Sequence, residues 1–231
     1  MDCIAGMNMI PDGSIDMILT DLPYGITDCY WDSLLPLDQL WRQYERVIKP
    51  NGAIVLTACQ PFTTTLINSN RRRFRYCWYW RKNMATGFPF AKFQPLRCIE
   101  DIAVFYRQAP TYNPQGLITL NKPRIRRKRV KSDCVYKMET LNKEYVTQYA
   151  NYPKNQLDVK SERGLHPTQK PAALFEYLIN TYTNPGELVL DSCMGSGTTA
   201  VACMRTGRHY VGFEIDKKYY TLSQKRIDRK S

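Results

Sequence analysis

The chain has 231 residues, 43% of them hydrophobic, with a formal net charge of +12. This length supports one catalytic domain with an insertion and argues against two large independent domains. The charge favours a polyanionic partner, most commonly nucleic acid, but leaves ribosomal and membrane-surface proteins open, whereas a membrane span is excluded because no apolar run is long enough.

Short β-rich runs alternate with amphipathic helical stretches along most of the chain. This alternation predicts an α/β fold in which a largely parallel sheet is covered by helices on both faces. The predicted strands are 15–20, 53–57, 74–80, 102–106, 188–191 and 210–214. The predicted helices are 37–48, 61–69, 171–181, 198–206 and 217–229.

The stretch 107–163 interrupts the alternation and carries +8 of the net charge. Its densest part, 121–131, cannot pack into a core, so it is either a flexible solvated loop or a surface that lies against phosphate. Tyrosines flank this basic run, and the mixture is typical of a surface that contacts nucleic acid. The candidate DNA-binding residues are Arg124, Arg126, Arg127, Lys128 and Arg129.

The eight cysteines are scattered, without a Cys-x-x-Cys pair. With no signal peptide in the sequence, we interpret them as reduced thiols in a cytoplasmic protein. Only His166 and His209 could complete a zinc site beside Cys193 and Cys203, so no metal site is expected.

A glycine-rich turn follows the predicted strand 188–191. Gly195 and Gly197 allow the backbone to bend sharply and approach a ligand, and the helix that begins there offers unpaired N–H groups. Glu214 closes the next strand, where it can accept hydrogen bonds from ribose. The spacing fits a nicotinamide or flavin dinucleotide as well as S-adenosylmethionine. Only 17 residues follow Glu214, so the rest of the sheet must come from upstream, in a permuted order.

The segment Asp21-Leu22-Pro23-Tyr24 follows the first predicted strand, at the sheet edge where α/β folds bind ligands. As a bare pattern it could be a simple turn. An aromatic amine is a poor nucleophile, and the Asp21 carboxylate with the Leu22 carbonyl could accept its two N–H bonds and free its lone pair. Catalysis would then rest on positioning and electrostatics, with Tyr24 stacking on a base flipped from the duplex.

Together, the motifs resemble those of the β group of DNA amino-methyltransferases. Asp21-Leu22-Pro23-Tyr24 is similar to the family's Asp-Pro-Pro-Tyr motif, and the residues 191–198 are similar to its Asp-Pro-Phe-x-Gly-Ser-Gly-Thr loop. The resemblance covers nearly the whole chain and implies a Rossmann-like S-adenosylmethionine methyltransferase fold with permuted motif order. The cofactor-binding residues that it implies are Asp2, His166, Thr168, Lys170, Asp191, Gly195, Ser196, Gly197, Thr198 and Glu214.

The resemblance also implies a division into a catalytic part (1–106), a target-recognition insertion (107–163) and a cofactor-binding part (164–231). The expected activity is sequence-specific transfer of methyl from S-adenosylmethionine to N6 of a flipped adenine in double-stranded DNA, in a bacterial or phage-infected cell. The alternatives are an N4-cytosine methyltransferase, an inactive nucleic-acid-binding relative and a nicotinamide oxidoreductase. A homodimer follows from the resemblance alone.

Overall fold

The computed structural model describes residues 1–25, 32–126, 145–162 and 169–228. The strands of this described part are β1 (Ile15–Asp21), β2 (Ile48–Ala58), β3 (Phe74–Thr86), β4 (Arg97–Phe105), β5 (Ile118–Arg126), β6 (Tyr145–Ala150), β7 (Gln156–Asp158), β8 (Leu188–Asp191) and β9 (His209–Gly212). Its α-helices are α1 (Cys3–Met7), α2 (Leu37–Val47), α3 (Phe62–Ser69), α4 (Ala172–Tyr182), α5 (Thr198–Thr206) and α6 (Lys217–Asp228), and a short 3-10 helix spans Phe88–Phe90.

Seven described strands form one sheet, in the order β7-β3-β4-β2-β1-β8-β9. Of these seven, β4 runs against both of its neighbours, and the remaining pairs are parallel. The predicted largely parallel α/β sheet is therefore confirmed. The strands β8 and β9 are the last described strands in the chain, yet β8 pairs with β1 and β9 with β8. This is the permuted order that the position of the glycine turn predicts.

The sheet buries both faces because its central strands are apolar on both sides. Ile18 of β1 belongs to one cluster, with α2 and α3, whereas Leu19 belongs to the other, with α4 and α5. Both side chains are fully buried. Successive strand residues point to opposite faces, so a continuous apolar run is what a central parallel strand requires.

Five described elements were not predicted from the sequence: α1, the 3-10 helix Phe88–Phe90, β5, β6 and β7. The strands β5 and β6 form a separate two-stranded antiparallel sheet inside the stretch that we interpreted as irregular. These strands lack the usual alternation of buried apolar and exposed polar residues, because apolar residues such as Ile118, Ile125 and Val146 are exposed. The backbone ladder, rather than burial, holds the pair together. The strand β7 has three residues, too few for a pattern to reveal.

The chain divides into two compact units, one formed by 1–113 and 155–231 and the other by 114–154. The first unit contains the seven-stranded sheet, and the second contains β5 and β6. The division into catalytic, recognition and cofactor-binding parts remains a prediction. Within the described residues, no helix combines the length and the apolar character needed to cross a membrane.

Candidate active site

Two aspartates end neighbouring strands at the same edge of the sheet. Asp21 is the last residue of β1, and Asp191 is the last residue of β8, which pairs with β1 in parallel. Thr57 of β2 lies opposite Asp21 in the register of the β1–β2 pair. Because the carboxyl ends of parallel strands share one edge, residues far apart in sequence meet here.

The Asp21 carboxylate is held by three side chains. The Thr57 hydroxyl donates to its Oδ1, and the Tyr24 hydroxyl lies 2.8 Å from the same oxygen. On the other side, Lys170 Nζ donates to Oδ2 at 2.8 Å. A carboxylate offers about four lone-pair sites, so these contacts leave Asp21 able to accept one further hydrogen bond, on Oδ2. Its side chain is partly exposed.

Lys170 links Asp21 to a second carboxylate. Its Nζ lies 3.4 Å from Glu100 Oε2, and the other oxygen of Glu100 accepts from Lys82 Nζ at 2.9 Å. The side chains of Lys170, Glu100 and Lys82 are all largely buried. Among the described residues, Glu100 Oε2 has no partner in hydrogen-bond geometry. Burial alone would lower the pKa of Lys170, but the charges of Asp21 and Glu100 outweigh it and raise the pKa above its ordinary value.

Tyr24 is fixed in orientation beside the carboxylate. Its ring stacks on Phe62, with centroids 5.5 Å apart, and Lys170 Nζ lies 5.4 Å from the ring centroid. Its backbone N–H and that of Gly25 donate to Asp32 Oδ1, at 2.7 and 2.9 Å. Burial, together with the negative charges of Asp21 and Glu100, raises the pKa of Tyr24 well above its ordinary value. Tyr24 is therefore a neutral hydrogen-bond donor.

The predicted glycine turn joins β8 to α5. Gly195 and Gly197 have φ of +52° and +83°, a backbone region that residues other than glycine rarely adopt. Gly197 is also the residue that precedes the first turn of α5. Glu214 Oε2 accepts from the Gly195 N–H at 2.7 Å, and Oε1 accepts from the Asp216 N–H. The structure thus brings the predicted loop and the predicted acidic residue into direct contact.

Neutral groups anchor the start of this loop. Asp191 is almost completely buried and accepts from the Thr199 hydroxyl and, at 3.0 Å, from the Cys193 N–H. Burial without a cation raises the pKa of Asp191 to about 7, although these two hydrogen bonds oppose the shift. Ser192 stands where the family motif has proline. Its N–H donates to Thr20 Oγ1 at 3.1 Å, a bond that proline could not make.

We call the glycine turn between β8 and α5 the cofactor loop, and the sheet edge that carries Asp21 the catalytic edge. Gln169 and Lys170, just before α4, connect the two. Gln169 Oε1 accepts from Ser196 Oγ at 3.0 Å, and the Lys170 carbonyl lies 3.4 Å from Thr198 Oγ1. Arg226 of α6 donates to both Ser196 and Thr198. The backbone of Lys170 therefore faces the cofactor loop while its side chain reaches Asp21.

Asp2 lies at the start of α1, beside the end of β9. Its carboxylate accepts from the Ala5 N–H at 2.9 Å and so caps the helix. The preceding Met1 amino group donates to the Glu214 carbonyl at 2.5 Å. Asp2 is therefore next to the predicted ribose-binding residue, although its own carboxylate is engaged by the helix.

Some of the predicted site residues belong to other parts of the chain. His166 and Thr168 lie outside the described residues, as do Arg127, Lys128 and Arg129. Arg124 and Arg126 belong to β5, in the smaller unit, and the Arg124 side chain is exposed. Leu22 is buried, and Pro23 is half-buried.

Four residues of the site were not among those predicted from the sequence: Thr57, Phe62, Lys82 and Glu100. Thr57 could have been found from the pairing of β1 with β2, because it ends the neighbouring predicted strand. The contact of Glu100 with Lys170 and Lys82 depends on the insertion of β4 between β2 and β3, which no short segment of the sequence reveals.

A family model for DNA methylases, which covers the N6 and N4 enzymes, matches residues 15–225. The match runs from the start of β1 into α6 and includes Asp21, Lys170 and the glycine turn. The chain belongs to the N6/N4 DNA methylase family.

Curated relatives agree with this assignment. The Type II methyltransferase M.HpaI of Haemophilus parainfluenzae is 27% identical over 98% of this chain and 72% of its own length. The DNA adenine methyltransferase YhdJ of Escherichia coli (strain K12) is 28% identical over 98% of this chain and 81% of its own length.

Solved structures share the fold. The M1.HpyAVI–SAM complex superposes with a TM-score of 0.63 at 25% identity, covering 96% of this chain and 92% of that one. The cytosine-N4-specific PvuII DNA methyltransferase gives a TM-score of 0.72 at 18% identity, covering 98% of this chain and 84% of that one. This methylase therefore has the fold of S-adenosylmethionine-dependent enzymes.

S-adenosylmethionine is the cofactor of this methylase, and the loop after β8 fits a nucleoside ligand. An added Cβ at Gly197 would lie 3.0 Å from Ser223 Cβ, and φ is +83°, so the turn favours glycine. The Glu214 carboxylate lies at the end of the adjacent strand, where it can accept hydrogen bonds from ribose hydroxyls. Family membership thus favours S-adenosylmethionine over the nicotinamide that the glycine spacing left open.

Proposed function

We propose that this methylase transfers a methyl group to the N6 amine of adenine in double-stranded DNA, at a specific sequence. The observation that carries the proposal is the Asp21 carboxylate at the end of β1, oriented by Thr57, Tyr24 and Lys170. YhdJ, a relative named as an adenine methyltransferase, supports adenine. The aspartate that opens the catalytic motif is more typical of N6 enzymes than of N4-cytosine enzymes.

In the proposed mechanism, Asp21 Oδ2 and the Leu22 carbonyl accept the two N–H bonds of the flipped base. This favours tetrahedral geometry at nitrogen and directs its lone pair out of the ring plane. S-adenosylmethionine supplies an electrophilic methyl group on a positively charged sulfur. A carbon–nitrogen bond forms while the carbon–sulfur bond breaks, the electron pair stays on sulfur, and the extra proton leaves the methylated amine for water. Asp21 and Leu22 act by positioning.

Lys170 would hold the Asp21 carboxylate in position to accept a hydrogen bond from the amine. The carboxylate and the ammonium form an ion pair, and Glu100 Oε2 offers the ammonium a second partner 3.4 Å away. When an amine donates to Asp21 Oδ2, Lys170 can move toward Glu100 without losing charge compensation. Tyr24 would contact the base with its ring while its hydroxyl holds Asp21.

The basic residues of β5 and of the segment that follows it would contact the DNA backbone. Arg124 is exposed on β5, and Arg126, Arg127, Lys128 and Arg129 continue the run. Neutralising Arg126, Arg127 and Arg129 together should weaken DNA binding and flatten its dependence on salt, because fewer counterions are released. An unchanged slope in fluorescence anisotropy titrations at several salt concentrations would remove this run from the interface.

The test is incubation with unmethylated genomic DNA and S-adenosylmethionine carrying an isotopically labelled methyl group, followed by mass spectrometry of the nucleosides. Labelled N6-methyladenine is expected. Labelled N4-methylcytosine would keep the mechanism but change the base, and the absence of any labelled nucleoside would contradict the proposal. The control is Asp21→Asn, which should abolish transfer while cofactor affinity, measured by calorimetry, stays near that of the wild type.

We also place the methylase in the cytoplasm of a bacterial or phage-infected cell and propose that it acts as a homodimer. Both assignments rest on the family resemblance. Sedimentation of the purified protein, with and without DNA, tests the dimer directly, and a single monomeric species under both conditions would contradict it.

A further inference from the structure

Three phenylalanines project into solvent between β3 and β4. Phe88, Phe90 and Phe93 are 80%, 54% and 85% exposed, and we call them the aromatic tip. Leu96, just before β4, and Ile99, within β4, are also exposed. Five large apolar side chains are thus exposed within twelve residues of the chain. A patch of exposed apolar side chains is uncommon on a monomer and marks an interaction site.

The aromatic tip is held by local backbone hydrogen bonds. The Phe90 N–H donates to the Gly87 carbonyl at 2.9 Å, and the Phe93 N–H donates to the Phe90 carbonyl at 2.9 Å. Gly87 has φ of +93°, which allows the chain to leave β3 in a sharp turn. The three rings are therefore presented by consecutive turns, so little conformational entropy would be lost when they bind.

The tip rises from the catalytic edge of the sheet. Thr86 and Arg97 pair at its base, and Glu100 lies three residues further along β4. At about 3.3 Å per strand residue, this places the base of the tip about 10 Å from Glu100. Glu100 in turn contacts Lys170, the partner of Asp21. The rings thus lie beside the place where the target base would enter.

The charge around the tip favours an anionic partner. Residues 81–97 contain four lysines or arginines and no acidic residue. Arg81 and Lys82 pair with carboxylates, but Lys92 and Arg97 lie beyond ion-pair distance of every carboxylate in the described residues. Flat apolar rings interspersed with cations match a nucleic acid, whose phosphates are negative and whose bases present flat faces for stacking.

We propose that the aromatic tip inserts into the DNA duplex beside the target base and stacks on the bases that flipping exposes. The inference rests on the proposed function, since it requires a duplex substrate. Stacking on the rings would offset part of the unpairing and unstacking cost that flipping imposes. The tip should therefore matter most when the target base is fully paired.

The test compares two duplexes that carry the methylated sequence, which is mapped first by modification-sensitive sequencing of DNA treated with the wild-type protein. In one the target base is paired normally, and in the other an abasic nucleotide lies opposite it. Changing Phe88, Phe90 and Phe93 together to alanine should lower kcat/KM on the paired duplex by about 10- to 100-fold, the range expected for lost stacking on aromatic rings. On the abasic-opposed duplex, where no pair must be broken, the loss should be less than about threefold.

Two further variants distinguish stacking by the rings from a general loss of exposed apolar surface. Changing the same three residues to tyrosine keeps the rings and should preserve activity on the paired duplex. Met9→Ala removes another exposed apolar side chain, in the segment that leads into β1 at the opposite edge of the sheet, and should leave both duplexes unaffected. Cofactor binding and thermal unfolding establish that each variant is folded.

Equal losses on the two duplexes would overturn insertion and assign the tip to general docking, and no loss on either would remove it from the DNA interface. A change of oligomeric state on sedimentation, without the selective loss, would assign the tip to contact with a second copy of the chain. A wild-type protein that methylates neither duplex would overturn the proposed function itself, an outcome distinct from all of these.

Discussion

Two aspartates at adjacent strand ends are held in opposite ways. Asp21 has a cation 2.8 Å away and lies at the edge where the substrate would bind. Asp191 is buried with two neutral donors and no cation, and burial raises its pKa to about 7 although the two hydrogen bonds oppose the shift. An aspartate thus acts as a charged group at the end of β1 and as a structural hydrogen-bond acceptor at the end of β8.

The difference follows from what each half of the site must do. The catalytic edge has to present a polar group to an incoming amine, and a compensated charge achieves this without leaving a buried ion unpaired. The cofactor loop has to hold a backbone shape, and glycine conformations with neutral hydrogen bonds suffice. Lys170 belongs to both halves, since its side chain contacts Asp21 and its carbonyl lies near Thr198.

Replacing Lys170 with methionine should have the largest effect, because it leaves Asp21 without its cation and Glu100 with Lys82 alone. Removing one partner of a buried ion pair costs about 3–5 kcal/mol, so the free energy of unfolding in urea should fall by this order. Adding Asp21→Asn, which removes the uncompensated charge, should recover part of the stability but not the methyl transfer.

The matched control is Arg42→Met, which breaks an exposed pair with Asp38 and should change the free energy of unfolding little. Equal effects of the two substitutions would mean that the catalytic edge does not depend on charge compensation.

Asp191→Asn tests the cofactor loop through the pH dependence of the free energy of unfolding. The folded-state pKa of about 7 exceeds the value of about 3.9 expected in the unfolded chain. Between pH 4 and 7 the folded protein keeps a proton that the unfolded chain releases, so Asp191 makes stability fall as pH rises, by at most about 1.4 kcal/mol per pH unit. The asparagine variant should therefore gain stability relative to the wild type between pH 5 and 8.

Urea denaturation at both pH values measures this gain. Asp38→Asn, at an exposed aspartate, should run parallel to the wild type over the same range. If Asp191→Asn also ran parallel, burial would not perturb this carboxyl group.

Gly197→Ala should weaken cofactor binding and destabilise the loop. A residue with a side chain at φ of +83° is strained by about 1–2 kcal/mol, and the new Cβ would press on Ser223. Gly186→Ala is the matched control, because its φ is +82° while no atom lies within 4 Å of the added Cβ. Calorimetric titration with S-adenosylmethionine should detect a loss of affinity in the first variant and none in the second.

Tyr44→Phe should have the smallest effect. The Tyr44 hydroxyl lies 2.5 Å from Ser192 Oγ, a buried contact that ties α2 to the cofactor loop. Loss of one such hydrogen bond costs about 1 kcal/mol, which thermal unfolding can resolve. Tyr220→Phe, at an exposed tyrosine, should leave the unfolding temperature unchanged.

The local parts of both halves were predictable from the sequence. Asp21 follows a buried strand and Gly197 opens a helix, and each feature depends on residues close in the chain. The apolar runs likewise predicted the central strands, because a strand covered on both faces has to be apolar throughout. The hairpin of β5 and β6 escaped prediction because its exposed residues carry no burial pattern.

By itself, the sequence determined the motifs, the fold class and the permuted order of the strands, since these follow from short segments and their succession. The tertiary structure alone decided which side chains surround each aspartate. Lys170 and Asp21 are 149 residues apart, and Tyr44 and Ser192 are 148 apart. Contacts over such separations depend on sheet order and strand register, and these are set by the packing of the whole sheet rather than by any one segment.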